Sequence, residues 1–514
     1  MKVSLLILVG CLVCLAKSCP VGLPCYCGSI IHCERNNLNT VPAIIKTNDP
    51  YPLMDLSENE ITSIPSSAFN GLVVSILDLS GNPLETIQDA GFDGLYDFLV
   101  QLLMPGTNLV ALPKSMGKFK NISRLDVGYN KITSIPDEAF EGFGPVLNIL
   151  NMQSTKLTQW PSALSYMTKL ESLDLAYNQF TQIPSDAFSS FASTLTYLSL
   201  MGCSLSTFPV ALNSLKVIKE LNLAHNSFTS FPDAAFGANL LSSLQILDIS
   251  YNGFTSSPGA VKKLTKLTKL SMGSNNIGSI DADMFSGMKT SLRELDISNC
   301  DLTSVPTQAF IALGSILTLD ISNNRLQTID NFDFSQLVAL ERLTLDNNSI
   351  VAVKYRAFER CNNLKQISFK GCSLQNIPGS SLGSAPNLEY ADFSKNTIRR
   401  IDAGTFPPIE KLRILRLSGN YLGYVDRQAF ESLNGTEIIY MDNCGLVDVP
   451  RGIQSAPTLH QLDLHGNSIT CDCELKWIQA WKEASGLIPR IFGECSGSDF
   501  SLDDYTRYGL SDCP

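Results

Sequence analysis

Cysteine is the residue type whose spacing in this chain most clearly implies chemistry. Of the 15 cysteines, eight form two tight clusters, one near each end of the chain. The clusters consist of Cys19, Cys25, Cys27 and Cys33, and of Cys471, Cys473, Cys495 and Cys513. Four neighbouring cysteines in a secreted chain are typical of disulfide bonds, and spacing alone leaves three connectivities open for each cluster. We therefore predict a disulfide-bonded segment at either end.

Histidine spacing suggests no further chemistry. The 4 histidines are His32, His225, His460 and His465, and none of them fits a known catalytic or zinc-ligand spacing. His460 and His465 flank one strand-like stretch, but two ligands without a third are a weak indication of a metal site. We therefore expect no enzymatic activity, no catalytic residue, no metal site and no cofactor.

The first residues have the layout of a secretory signal peptide. Lys2 precedes an apolar run from Leu5 to Leu15, and the small residues Ala16 and Ser18 follow it. Such a run is about half of the roughly 20 residues that cross a bilayer. We expect a secreted, extracellular protein without a transmembrane or lipid anchor. The net charge of −11 disfavours nucleic acid as a partner, because phosphate backbones attract basic surfaces.

A repeat must position all of these residues. Segments such as LDLSGNPL at 77–84, LDVGYNKI at 125–132 and LRLSGNYL at 415–422 share the pattern LxxLxLxxNxL. We call its asparagine position the ladder column; it recurs every 23 to 26 residues. The column comprises Asn59, Asn82, Thr107, Asn130, Thr155, Asn178, Cys203, Asn226, Asn252, Asn275, Cys300, Asn324, Asn348, Cys372, Asn396, Asn420, Cys444 and Asn467. This pattern resembles the leucine-rich repeat over nearly all of the mature chain.

The resemblance implies an α/β repeat solenoid: a leucine-rich-repeat horseshoe with short parallel strands on its concave face and disulfide-bonded caps. CDCELKWIQAWKEA at 471–484 resembles the start of a C-terminal cap in this family. We expect a signal peptide at 1–18, an N-terminal cysteine cap at 19–42, about eighteen repeats at 51–470 and a C-terminal cysteine cap at 471–514. In each cap the resemblance implies that the first cysteine pairs with the third and the second with the fourth.

The ladder column has a structural task in this family, where the asparagine amide binds backbone groups of the adjoining turn. Cysteine and threonine are the usual substitutes there. We therefore interpret Cys203, Cys300, Cys372 and Cys444 as buried structural thiols, since they lie whole turns apart and cannot share a metal ion. Cys361, outside the column, is expected to be a further buried thiol.

Candidate binding residues lie on the concave face, where solenoids usually bind their partners. The residue between the two strand leucines is often aspartate, which predicts an acidic stripe or simply a row of solvated carboxylates. Tyrosine or histidine precedes the ladder column in the middle repeats, either as an interface anchor or as a shield for the strand ends. The candidates are Asp126, Tyr129, Asp174, Tyr177, His225, Asp248, Tyr251, Tyr390, Arg416 and Tyr440.

Three NxS/T sequons, at Asn121, Asn347 and Asn434, are candidate glycosylation sites in a secreted protein. Asn347 lies in the same column as the tyrosines, just before the ladder column. A glycan there would keep a partner away from the middle of the array.

The chain resembles extracellular leucine-rich-repeat proteins such as slit, chaoptin, connectin and the acid-labile subunit of insulin-like growth factor complexes. That resemblance implies adhesion, matrix or carrier interactions with extracellular proteins through the concave face, and it leaves dimerisation open. The chain is also similar to the non-catalytic leucine-rich subunit of a secreted shrimp luciferase. An accessory subunit of a secreted enzyme and an extracellular immune-recognition protein are therefore the alternative functions.

Overall fold

The structure is a computed structural model that describes residues 21–22, 24–45, 49–180, 182–485, 490–497, 500–510 and 513. The expected signal peptide and Cys19 lie outside these residues. The chain forms two compact units, the first ending at Ser204 and also including 214–217, and the second comprising 205–213 and 218–514. Each unit is built from the same short turn.

Each turn begins with a strand that pairs in parallel, residue for residue, with the strands of neighbouring turns. In the first unit these strands are Tyr51–Asp55, Val74–Asp78, Gln101–Leu103, Arg124–Asp126, Ile149–Asn151, Ser172–Asp174 and Tyr197–Ser199. In the second they are Glu220–Asn222, Ile246–Asp248, Lys269–Ser271, Glu294–Asp296, Thr318–Asp320, Arg342–Thr344, Gln366–Ser368, Tyr390–Asp392, Ile414–Arg416, Ile438–Tyr440 and Gln461–Asp463. These parallel, in-register strands confirm the predicted α/β repeat solenoid.

The segments that connect these strands, and the segment after the last of them, contain short elements. Two-residue strands pair at Ser63–Ile64 with Thr86–Ile87, at Thr328–Ile329 with Ala352–Val353, and at Arg400–Ile401 with Tyr424–Val425. The 3-10 helices are Lys114–Lys118, Asp137–Phe140, Gly144–Val146, Ser162–Tyr166, Val210–Ser214, Gly259–Lys263, Ser286–Met288, Arg451–Ser455 and Cys473–Lys476. Short α-helices span Ala238–Ser243, Thr307–Phe310, Gly379–Leu382, Trp477–Ser485 and Leu502–Asp504, and Tyr505–Gly509 forms a π-helical turn.

The core of each unit is a stack of leucines and phenylalanines. The next-to-last residue of each strand, such as Leu125 or Leu173, is buried, while the residues on either side of it point to the opposite face, which we call the strand face. This alternation follows from the twofold period of a strand. Phe92, Phe119 and Phe143 continue the stack at the far side of successive turns, with ring centroids 5.5 and 6.4 Å apart.

Disulfides close both ends of the chain. Cys25 pairs with Cys33, and Cys27 is also disulfide-bonded, beside a small antiparallel pair of strands, Tyr26–Cys27 and Ile31–His32. At the other end Cys471 pairs with Cys495 and Cys473 with Cys513, which is the pairing that the family resemblance implies. The strand Arg490–Phe492 of this segment pairs in parallel with Gln461–Asp463 and so covers the last repeat strand.

Candidate partner-binding surface

The ladder column fixes the backbone after each strand. Asn130 is 3% exposed, and its Oδ1 accepts a hydrogen bond from the Leu109 N–H of the preceding turn at 3.1 Å. Its Nδ2 donates to the carbonyls of Met104 and Val127 at 2.8 and 3.0 Å. Buried polar groups need such partners, so this residue type is set by the fold.

The cysteines of the ladder column replace part of this network. The Cys300 thiol donates to the Met272 carbonyl at 3.3 Å, and the Cys300 carbonyl accepts from the Gly278 N–H at 2.9 Å. Burial raises the pKa of the Cys203, Cys300 and Cys361 thiols to about 12 and that of Cys372 and Cys444 to about 11. These thiols are therefore protonated and poorly nucleophilic at neutral pH.

The residue before each ladder position has an unusual backbone conformation. We call these residues the edge column, and every one of them has a positive φ, from 49° at Asn299 to 68° at Gly371. The column comprises Glu58, Gly81, Gly106, Tyr129, Ser154, Tyr177, Gly202, His225, Tyr251, Ser274, Asn299, Asn323, Asn347, Gly371, Lys395, Gly419, Asn443 and Gly466. Glycine and asparagine adopt such angles readily, whereas a bulky side chain there is an outlier.

Aromatic residues occupy this column in spite of that preference. Tyr129, Tyr177 and Tyr251 are 58%, 42% and 54% exposed. The Tyr177 ring lies over Gly202, where an added Cβ would come within 2.6 Å of it. In the second unit, the rings of His225 and Tyr251 stack 4.1 Å apart at an interplanar angle of 9°. The structure thus brings His225 and Tyr251 together, while Ser154 lies between Tyr129 and Tyr177 in the edge column.

The aspartates of the strand face have a local structural task that the sequence did not reveal. Oδ1 of Asp126 accepts from the Gly128 N–H at 3.0 Å, and Asp174 and Asp248 accept from the residue two positions on at 2.9 Å. Burial raises the pKa of Asp174, and the nearby charge of Asp126 adds to that rise. These carboxylates hold the turn that leads into the edge column, and a role in partner binding remains a prediction.

The other predicted group, Tyr390, Arg416 and Tyr440, lies on three neighbouring strands of the second unit. Asp392, Arg416 and Tyr440 occupy matching register positions on these three strands. The Arg416 guanidinium is 4.0 Å from the centre of the Tyr440 ring. The Tyr390 hydroxyl donates to Oδ2 of Asp392 at 3.0 Å. Burial, and then the Asp392 charge, raise the pKa of Tyr390 to about 12.

Two apolar residues beside this group were not among the candidates predicted from the sequence. Ile414 and Ile438 are half-buried on the strand face, in register with Tyr390. The signal was available, because both stand two residues before the aspartate position of their repeats, at the first outward position of the strand.

The three sequon asparagines, Asn121, Asn347 and Asn434, are exposed. Nδ2 of Asn121 donates to the Asp97 carbonyl at 2.7 Å, and Nδ2 of Asn347 donates to Oδ1 of Asn323 at 3.0 Å. Glycosylation at these positions remains a prediction.

Of the histidines, His32 stacks on Tyr26 with its Nδ1 3.1 Å from Glu34, and Nδ1 of His465 lies 2.7 Å from Asp463. Within the described part of the chain, no group of three His, Cys, Asp or Glu side chains is arranged to hold a metal ion. Among those same residues, no helix is both long enough and apolar enough to span a bilayer.

Comparison with known families agrees with this geometry. The model described as "Leucine rich repeat" matches residues 120–180, 168–228, 216–277 and 290–350, and that of the "BspA type Leucine rich repeat region (6 copies)" matches 327–448. This chain is a leucine-rich-repeat solenoid. Leucine-rich-repeat proteins are protein-interaction modules that are in general not catalytic, and neither matching model indicates an enzyme family.

Solved structures share the leucine-rich-repeat fold at low sequence identity. TLR13 in complex with ssRNA13 is 23% identical with a TM-score of 0.60, covering 87% of this chain and 71% of that one. A leucine-rich-repeat protein of Leptospira interrogans is 21% identical with a TM-score of 0.59, covering 87% and 100%. Drosophila Toll in its complex with Spatzle is 20% identical with a TM-score of 0.54, covering 88% and 57%.

One curated relative is similar over a short stretch. Immunoglobulin superfamily member 10 of Mus musculus is 40% identical over 48 residues, which is 9% of this chain and 2% of that relative. The match therefore covers one small part of a much longer protein.

Proposed function

We propose that this chain is a secreted leucine-rich-repeat protein that binds an extracellular protein partner, with the aromatic residues of the edge column as anchors. The observation that carries the proposal is the placement of exposed tyrosines at left-handed backbone positions. A bulky residue there costs roughly 1–2 kcal/mol, and most edge-column positions carry glycine, asparagine or the small residue serine instead. Tyr129, Tyr177 and Tyr251 accept it while remaining exposed.

The chemistry of the surface favours a protein over a nucleic acid. Tyrosine gives a large contact area at a low entropic cost and is enriched among interface hot spots. TLR13 forms a complex with ssRNA13, and Toll forms a complex with Spatzle. A chain with a net charge of −11 would repel the RNA backbone. The predicted signal peptide and the disulfides at both ends support an extracellular location.

The test is a pair of double variants in the first unit. Tyr129→Asn with Tyr177→Asn removes both rings and leaves a residue that tolerates a positive φ. Glu58→Asn with Ser154→Asn introduces the same residue at two non-aromatic positions of that column and is the control. The wild-type chain is used to capture a partner from native extracellular fluid, and the Kd of the purified partner is then measured for all three forms.

We expect the tyrosine double variant to bind at least tenfold more weakly, a loss of about 1.4 kcal/mol, and the control to bind like the wild type. The asparagine replacements keep the fold, which circular dichroism would verify. Equal Kd values for all three forms would refute the tyrosines of the edge column as the anchor and would mean that another surface binds the partner.

A further inference from the structure

A patch on the strand face of the second unit combines aromatic, aliphatic and cationic side chains. We call it the Arg416 patch; it comprises Tyr390, Asp392, Ile414, Arg416, Ile438 and Tyr440. Tyr390, Ile414 and Ile438 form one row across three strands, and Asp392, Arg416 and Tyr440 form the other. Tyrosine and arginine surrounded by aliphatic residues is the composition of an interface hot spot.

The carboxylate nearest to Arg416 in its row already has partners. Oδ1 of Asp392 accepts from the Ser394 N–H at 2.8 Å and from the Ser394 hydroxyl, and Oδ2 accepts from the Tyr390 hydroxyl at 3.0 Å. On the far side of Tyr440, Asp463 accepts from the backbone and the ring of His465. Both acidic residues in this row are therefore held by their own turns.

Arg416 lacks the partners that other arginines of this unit have. Its Nε is buried and makes no hydrogen bond, and none of the described carboxylates forms a salt bridge with its guanidinium. Arg325, Arg400 and Arg413, by contrast, are paired with Asp301, Asp402 and Glu437. On the strand face itself, Nε of Arg342 donates to Gln366 at 2.8 Å.

These facts describe a charged donor that is held in place and has no acceptor. The guanidinium carbon lies 4.0 Å from the centre of the Tyr440 ring, a favourable cation–π contact, and a buried donor left unsatisfied is costly. A guanidinium presents two parallel N–H groups that match the two oxygens of a carboxylate. Ile414 and Ile438 would add apolar contacts around that pair.

We propose that the Arg416 patch binds an acidic side chain of a protein partner, whose carboxylate pairs with the Arg416 guanidinium while neighbouring apolar residues contact Ile414 and Ile438. The proposal rests on the proposed function in that the occupant is a protein segment. It concerns a different surface from the tyrosines of the first unit, so either site can fail without the other.

The probe is an acetylated hexapeptide of alternating glutamate and leucine, with a lysine–leucine hexapeptide as its counterpart. Arginine Nε–H signals of the full ¹⁵N-labelled chain are followed by NMR during titration. We expect the Arg416 signal to shift saturably with the glutamate peptide alone and the Arg342 signal to stay in place. The Tyr129→Asn/Tyr177→Asn variant should bind this peptide like the wild type, which separates the two proposals.

Two substitutions complete the test. Arg416→Gln is expected to raise the Kd of the glutamate peptide at least tenfold, and Arg416→Lys to weaken binding as well, because an ammonium group cannot form the two-pronged pair. Arg342→Gln is the matched control and should not change the Kd. An unmoved Arg416 signal at millimolar peptide, or equal binding by Arg416→Gln, would overturn the proposal. So would an equal shift with inorganic sulfate at the same concentrations, since the site would then be a general anion site.

Discussion

Tyr129 and Asn130 are adjacent in the chain but are under different structural constraints. Asn130 belongs to the buried ladder column, and its amide binds four backbone groups. Tyr129 belongs to the edge column, where its φ is 55° and 58% of its surface is exposed. The fold specifies the side chain at position 130. At position 129 it specifies only the backbone angle, so other requirements select the side chain.

This difference separates structural from functional signals in the same repeat. Where the ladder column departs from asparagine, cysteine or threonine takes over part of the same hydrogen bonding. Where the edge column departs from glycine, asparagine or serine, as at Tyr129 and Tyr177, the new residue has a less favourable backbone. We infer that an exposed aromatic residue at such a left-handed position, as at Tyr129 and Tyr177, marks a position used for binding.

The largest expected effect comes from the ladder column. Asn130→Ala leaves the Leu109 N–H and the Val127 carbonyl without this partner, whereas the Met104 carbonyl keeps the Thr107 hydroxyl at 3.3 Å. Each buried group that is left unsatisfied costs about 1–3 kcal/mol. We expect the first unit to lose about 3 kcal/mol or more. Native-state hydrogen exchange would show it, because the Leu109 amide loses its acceptor and should exchange much faster. Unchanged protection of Leu109 would contradict a structural role for the column.

A smaller effect of opposite sign is expected one residue earlier. Tyr129→Asn relieves a left-handed tyrosine and should stabilise the first unit by about 0.5–1 kcal/mol. The measurement is again hydrogen exchange, here at Leu125 in the adjacent strand, with Ser154→Asn as a control expected to change little. Faster exchange in Tyr129→Asn would mean that the ring shields the strand end, and the binding interpretation of the edge column would lose its basis.

Sequence alone predicted what the repeat dictates. The ladder column, the inward leucines and the buried cysteines follow from side-chain period and hydrogen-bonding capacity, and each is read from residue types at fixed spacing. The Arg416–Tyr440 cation–π contact and the unpaired Nε could not be predicted in this way, because they depend on rotamers and on which neighbours already bind Asp392. The positive φ of the edge column was readable in part, since glycines and asparagines recur there.

The smallest expected effect on stability comes from the aspartates that precede the edge column. Its sign is seen in how the free energy of unfolding changes with pH. Burial raises the pKa of Asp296 above 3.8, and the charges of Asp320 and Asp248 add to that rise. Because the pKa is raised, the favourable contribution of the Asp296 carboxyl to the free energy of unfolding is complete below pH 3.8. That contribution is lost as the pH rises through the folded-state pKa. The Asp296→Asn variant keeps an oxygen that accepts from the Ser298 N–H. Its free energy of unfolding should therefore increase relative to that of the wild type as the pH rises from 3.8 through the folded-state pKa of Asp296.

Asp426, on the opposite side of the turn, should behave in the reverse way. A backbone hydrogen bond from Gln428 and the Tyr424 hydroxyl lower the pKa of Asp426 below 3.8. The favourable contribution of the Asp426 carboxylate to the free energy of unfolding is present above pH 3.8 and is lost as the pH falls through the folded-state pKa. Asp426→Asn should therefore be less stable than the wild type at neutral pH and equal to it in acid. Urea unfolding of both variants from pH 3 to 7 would give opposite slopes. Parallel slopes would mean that burial on the strand face does not control the charge of its aspartates.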